Sequence, residues 1–129
     1  MSDHFHAAVW IDGHEARVFR FNAEDAEKSV FHPKHSDKER RREKQSSHES
    51  PDDLHFLEEV TQAIADAGAI LISGPGLEKT ALLKYIERKH PGLKGAVEAF
   101  ESADHPSDNE LLAHARKTLH AEDRMKPQI

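Results

Sequence analysis

The chain has 129 residues, 36% hydrophobic and 33% charged, with 11 His, no Cys and a formal charge of −6. That length predicts a single domain spanning 1–129, with a compact core under a charge-dense surface. The missing Cys excludes a disulfide scaffold, a zinc ribbon and a cysteine nucleophile. No apolar run approaches the ~20 residues of a membrane span, and Met1-Ser2-Asp3-His4 does not read as a signal peptide, so a cytoplasmic protein without membrane contact is expected.

His6 to Ile11 is a short apolar run and predicts a largely buried strand. Asp12-Gly13 is a hairpin signal, because Gly accepts positive φ. Ala16, Val18, Phe19 and Phe21 alternate with Arg17 and Arg20, which predicts a second strand with one wetter face. Asn22 to Glu27 reads as a polar turn. Lys28 to His32 reads as a short third strand stopped by Pro33.

The stretch from Lys34 to Lys44 carries six basic and three acidic residues, a net of +3, which leaves −9 for the rest of the chain. No Leu, Ile, Val, Phe, Trp or Tyr occurs from 34 to 50. With nothing apolar to bury, residues 33–50 are expected to form a flexible charged loop within the domain.

Ser50 is a candidate N-cap, Pro51 suits the first helical position, and Asp52 and Asp53 complement the positive end of the helix dipole. Leu54, Leu57, Val60, Ala63, Ile64 and Ala67 then recur at helical spacing up to Gly68. Ala69 to Ile72 reads as a buried fourth strand, broken by Gly74-Pro75-Gly76. A second helix is expected from about Leu77 to His90, limited by Pro91. A fifth strand follows around Val97 and Phe100. Ser107 and Glu110 form a capping box before a third helix lined by Leu111, Leu112, Ala115 and Leu119. The tail from 121 to 129 is polar and expected to be loose.

Three strands joined by tight turns form an antiparallel meander, and the later strand–helix–strand crossover must be parallel. The expected fold is therefore three-layer α/β. It has one mixed five-stranded sheet with helices on its faces, as in ribonuclease-H-like and ribosomal-protein-like domains. Trp10, Phe19, Phe21, Leu57, Ile64, Leu82 and Leu112 are assigned to the core. Phe5 and Phe56 lie beside outward-looking residues and are candidates for a surface contact, including one between copies of the chain.

Two segments carry a family resemblance: Ala8 to Phe21, and Ala69-Ile-Leu-Ile-Ser-Gly-Pro-Gly-Leu-Glu-Lys-Thr80 with the later Asp104-His105-Pro106 turn. Together they resemble bacterial proteins called translational machinery proteins. These are in turn similar to the middle domain of archaeal and eukaryotic peptide-chain release factors and of pelota. The resemblance implies a role near ribosomes or RNA, and a length matching one middle domain standing alone. Release factors carry a Gly-Gly-Gln tip between the third strand and the first helix. Here no Gly lies from Val30 to Ala67, and Gln45 stands between Lys44 and Ser46. Hydrolysis of peptidyl-tRNA by the family mechanism is therefore not expected.

The candidate RNA-binding residues are Lys34, Lys38, Arg40, Arg41, Arg42 and Lys44, whose cations can neutralise phosphates. Asp37, Glu39 and Glu43 oppose them, and no aromatic residue offers base stacking. Ser73, Gly74, Gly76, Lys79 and Thr80 make a candidate anion-binding turn at a helix N-terminus. The spacing is not that of a P-loop. The other reading of that turn is a tight strand-to-helix connection with Lys79 facing water. Asp12 and Asp104 invite comparison with metal-dependent nucleases, but the fourth strand ends without a carboxylate. The His residues are scattered and follow no metal-ligand spacing. No catalytic residue, metal or other cofactor is assigned.

The leading expectation is a non-catalytic ribosome- or RNA-associated protein that docks by its basic loop. A protein-interaction or homo-oligomeric module is one alternative. A degenerate peptidyl-tRNA or RNA hydrolase is the other. The acidic total argues against a dedicated DNA binder.

Overall fold

The computed structural model describes residues 5–33 and 51–119. The expected Ser50 cap, the 34–50 segment and the 121–129 tail lie outside the described residues. The described residues form five strands: β1 (His6–Ile11), β2 (Ala16–Phe21), β3 (Ala26–Phe31), β4 (Ala69–Gly74) and β5 (Val97–Ser102). Among the described residues, α1 (Pro51–Ala63) leads into β4, α2 (Glu78–Lys89) lies between β4 and β5, and α3 (Asp108–Thr118) follows β5. The sheet order is β3-β2-β1-β4-β5. β1 pairs antiparallel with β2 and parallel with β4, so Val9 faces Val18 on one side and Ile72 on the other. β3 is antiparallel to β2, and β5 is parallel to β4 with a register break between Ile70 and Leu71. This is the three-layer α/β fold that the sequence predicts.

The two early turns are closed by side chains. Asp12 Oδ1 accepts from the amides of His14 and Glu15 at 2.8 and 2.9 Å. Asn22 Oδ1 does the same for Glu24 and Asp25 at 2.9 and 2.8 Å. Both are Asx turns, in which the side chain takes the place of a backbone acceptor. The β1–β2 hairpin therefore uses four residues, closed by Asp12 N–H to Glu15 O at 3.0 Å, and Gly13 does not adopt positive φ. The Asn22 turn ends at Asp25, which lets β3 begin at Ala26, earlier than expected.

The helices depart from expectation at their ends. α1 stops at Ala63, and the chain tightens through Ile64 N–H to Thr61 O (3.1 Å) and Ala67 N–H to Ile64 O (3.1 Å). Gly68 then donates to Phe5 O at 3.0 Å, which delivers β4 beside β1. α2 ends before Pro91, which has no N–H to continue it. Residues Pro91–Ala96 form a 3-10 helix that the sequence did not announce. α3 carries the expected capping box, with Glu110 N–H to Ser107 Oγ at 3.1 Å and Ser107 N–H to Glu110 Oε1 at 2.8 Å.

The core has two halves because β1 alternates. Ala7, Val9 and Ile11 point toward α1 and α2, among Val60, Ile64, Ile72, Leu82 and Ile86. Ala8 and Trp10 point toward α3, among Phe19, Phe21, Leu71, Leu111, Ala115 and Leu119. Phe5 and Phe56, expected as surface candidates, are buried in the first half. Leu112 is only half-buried, because Leu111, Ala115 and Leu119 are the α3 positions that face the sheet. The wetter face expected for β2 is absent. Arg17 shares a face with Phe19 and is buried, while Arg20 lies over the Phe5 ring at 4.6 Å.

A shared carboxylate ties α1 to α2. Glu58 Oε1 accepts from Tyr85 Oη at 2.5 Å and lies 2.8 Å from His90 Nε2, while Gln62 Nε2 donates to Glu58 Oε2 at 2.5 Å. The Tyr85 hydrogen bond, followed by those of Gln62 and His90, lowers the Glu58 pKa to about 2. Burial, then the Glu58 carboxylate, raises Tyr85 to about 12. A carboxylate whose folded pKa is depressed stabilises the fold above its unfolded pKa and loses that contribution as pH falls through the folded value. The wild type is therefore expected to be more stable than Glu58→Gln at neutral pH. Urea denaturation should show that advantage shrinking as pH falls from 4.5 toward 2. A difference that stays constant across that range would contradict this role for Glu58.

Candidate functional site

The parallel strands β1, β4 and β5 deliver their carboxyl ends, Ile11, Gly74 and Ser102, to one edge of the sheet. β2 begins at this edge and β3 ends there, since Ala16 pairs with Phe31. α1 leads into β4, which starts at the opposite edge beside His6, so the first turn of α1 lies over the carboxyl edge. Residue 33 and residue 51 thus both belong to this edge. The candidate RNA-binding residues Lys34, Lys38, Arg40, Arg41, Arg42 and Lys44 lie outside the described residues, between those two anchors.

The chain leaves β1 toward β2 and β3, and later builds β4 and β5 on its other side. In open α/β sheets such a switch point is where a ligand crevice forms. Here the ends of β1 and β4 are drawn tightly together. A Cβ added to Gly74 would lie 2.2 Å from Ile11 O, so only Gly lets the two strands approach this closely. Gly74 O also accepts from Ala103 N–H at 3.0 Å, which draws in the start of the β5–α3 connection.

The candidate anion turn gathers Ser73, Gly74, Gly76, Lys79 and Thr80 as expected, but its polar groups serve the turn itself. Ser73 Oγ donates to Val9 O at 2.9 Å. Lys79 Nζ donates to Gly76 O at 2.7 Å and lies 5.8 Å from the centre of the Phe100 ring. Lys79 is 8% exposed, so the expectation that it faces water is corrected: the chain folds its stem under the turn and satisfies the ammonium on a carbonyl. Thr80 is half-buried, and Leu77 stands out in solvent.

The densest polar constellation on this edge surrounds Arg17. Its Nη1 donates to Asp108 Oδ1 at 2.6 Å and its Nη2 to Pro106 O at 2.9 Å. Its guanidinium lies 4.7 Å from the centre of the Trp10 ring. Trp10 Nε1 donates to Ala103 O at 3.1 Å, and the His105 ring meets Trp10 edge-on at 4.8 Å. Lys28 Nζ reaches Asp108 Oδ2 at 2.5 Å. The Lys28 and then the Arg17 hydrogen bonds hold the Asp108 carboxyl below its usual range. The 103–108 segment is therefore pinned to β1, β2 and β3 at once. Sequence reading found the Asp104-His105-Pro106 turn but missed its anchors. The available signal was an Arg in an otherwise apolar strand.

Asp12 is occupied by its turn amides. His32 Nδ1 contacts His14 O at 3.2 Å, His6 stacks on Phe21, and His114 Nε2 lies 2.7 Å from Glu101 Oε1. Among the described residues, no group of three His, Asp or Glu is placed to hold a metal ion. No helix among them is long and apolar enough to cross a membrane.

No protein-family model matches this chain, and no curated protein gives a significant match. Solved structures do match. Archaeoglobus fulgidus Pelota superposes with a TM-score of 0.64 at 11% identity over 96% of this chain and 34% of its own. An archaeal translation termination factor, aRF1, gives 0.64 at 13% over 95% of this chain and 36% of its own. S. cerevisiae Dom34, described as a translation termination-like factor involved in RNA quality control and interacting with Hbs1, gives 0.59 at 12% over 96% and 36%. The chain spans about a third of the length of these proteins. It shares the five-stranded fold of that portion, as the sequence resemblance implied.

The closure at Gly74 has a direct test. Gly74→Ala is expected to lower stability by about 2–3 kcal/mol, because the methyl group meets backbone that cannot move aside. Gly76→Ala has nothing within 4 Å of its new Cβ and should change stability by less than about 0.5 kcal/mol. Equal effects in urea denaturation would refute the close β1–β4 approach.

Proposed function

We propose that this chain is a translation-associated module, akin to the bacterial translational machinery proteins, that docks on ribosomal RNA through its 34–44 segment without catalysing a reaction. The reading rests chiefly on one combination. A fold shared with Pelota and aRF1 carries six cations between β3 and α1, where both anchors belong to one braced edge of the sheet. Phosphate neutralisation by Lys34, Lys38, Arg40, Arg41, Arg42 and Lys44 releases counterions, which gives affinity without sequence readout. The acidic remainder of the chain repels polyanions and favours contact through this segment.

The non-catalytic reading is supported by the missing Gly-Gly-Gln tip and by the use already made of the nearby polar groups. Asp12 serves a turn, Ser73 a strand carbonyl, and Lys79 the Gly76 carbonyl. The 73–80 turn therefore has no part in the proposed docking.

Sedimentation with purified ribosomes over a potassium chloride series tests this. The protein is expected to pellet with ribosomes at low salt and to be released as salt rises. Changing Arg40, Arg41 and Arg42 together to Gln should reduce the slope of log K against log salt by about 2–3. Absence from the ribosomal pellet at low salt, or an unchanged slope in the triple variant, would refute the proposal.

A further inference from the structure

A second concentration of positive charge lies on the far side of the molecule. Residues 84–94 hold Lys84, Arg88, Lys89 and Lys94 against Glu87 alone, a net of +3. All four cations are exposed, on the carboxyl half of α2 and the 3-10 helix that follows. α2 starts at the carboxyl edge, after β4, and leads to β5, which begins at the opposite edge. The patch therefore lies about the length of a six-residue strand, ~20 Å, from the edge that carries residues 33 and 51.

These cations differ from the others in how they are used. Arg17, Arg20, Lys28, Lys79 and Arg116 each have a carboxylate or carbonyl partner. Among the described residues, Lys84, Arg88, Lys89 and Lys117 have no hydrogen-bond or ion-pair partner, and three of those four share this one stretch. Lys94 meets Glu87 at 3.1 Å. The neighbouring acids on α1 are already engaged, Glu58 by Tyr85, His90 and Gln62, and Glu59 by His55 at 3.4 Å. Free cations at a helix C-terminus are favoured by the helix dipole. Yet the dipole does not account for Lys84, which stands more than a turn before the end, or for Lys94 beyond it.

We infer that the exposed Lys84–Lys94 patch is a second docking surface for the RNA phosphate backbone, independent of the 34–44 segment. The stretch has no exposed aromatic ring, since Tyr85 is buried with its hydroxyl on Glu58, so contact is with phosphates and not with stacked bases. Lys84 and Arg88 sit one helical turn apart on one side of α2, and Lys94 reaches back to Glu87, the residue before Arg88. Contacts through two sites that share no partner contribute additively. The choice of RNA over another polyanion rests on the translation-associated reading above.

The test is fluorescence anisotropy with a labelled RNA hairpin over a potassium chloride series. Four forms are compared: wild type, Lys84→Gln/Arg88→Gln/Lys89→Gln, Arg40→Gln/Arg41→Gln/Arg42→Gln, and the combined six-site variant. Circular dichroism melting checks that each is folded. The α2 triple variant is expected to lower the salt slope by about 2–3. The 34–44 triple variant should keep salt-dependent binding, and the combined variant should lose it. An unchanged slope in the α2 variant overturns the inference and leaves the patch to an acidic protein partner. A 34–44 variant without residual binding at low salt overturns it too. In both outcomes the 34–44 reading stands. A 34–44 variant indistinguishable from wild type refutes that reading alone.

Discussion

A buried guanidinium dictates much of this structure. The Arg17 side chain is only 8% exposed, and its charge cannot be shed at any physiological pH. Such a group must be met by acceptors or the fold bears the desolvation penalty. Asp108, the Pro106 carbonyl and the Trp10 ring meet it. Asp108 and Pro106 belong to one segment and Trp10 to β1, so satisfying one side chain fixes the path of residues 106–108 and the start of α3 against β1 and β2. α3 then lays Leu111, Ala115 and Leu119 on the second sheet face. Lys28 joins the same Asp108 carboxylate, which ties edge strand β3 into the arrangement.

The consequence for function is an edge braced, among the described residues, by side-chain and backbone contacts. At the β1–β4 switch point, where related architectures open a crevice, Gly74 brings backbone against Ile11 O. Ser73, Lys79 and Asp12 are all committed to carbonyls or amides nearby. What this edge offers is anchorage for whatever it carries, and it carries the most basic stretch of the chain. The second basic stretch lies at the other end of α2. Under the proposed docking, an acidic body with two cationic stretches, 34–44 and 84–94, would favour polyanion contact through those stretches, which sharpens what the net charge alone suggested.

Periodicity made the fold legible. β1 and β4 read as apolar runs, α3 as a capping box followed by apolar spacing, and the mixed five-stranded sheet followed from the meander and the parallel crossover, while the strand order did not. The errors arose where a tertiary partner overrode a local rule. Arg17 looked like a marker of a wet face because its partners lie some ninety residues away in sequence. Lys79 looked solvated because the Phe100 ring beside it comes from β5, although its carbonyl partner, Gly76, lies only three residues back. Phe5 and Phe56 have polar sequence neighbours, yet α1 and the sheet close over both. The 3-10 helix after Pro91 has no periodic pattern of its own. The functional signal divided in the same way. The 34–44 charge run is visible in composition, whereas the 84–94 patch emerges only when the carboxylates around it are seen to be engaged elsewhere.

The central claim is that this scaffold presents cations to ribosomal RNA. Ultraviolet cross-linking in cell extract at physiological salt, followed by mass spectrometry of the RNA-bearing peptides, addresses it most directly. The account predicts cross-links to ribosomal RNA concentrated in residues 34–44, with a second group in 84–94. Absence of ribosomal RNA from the adducts, or cross-links confined to β3 and α3, would contradict it.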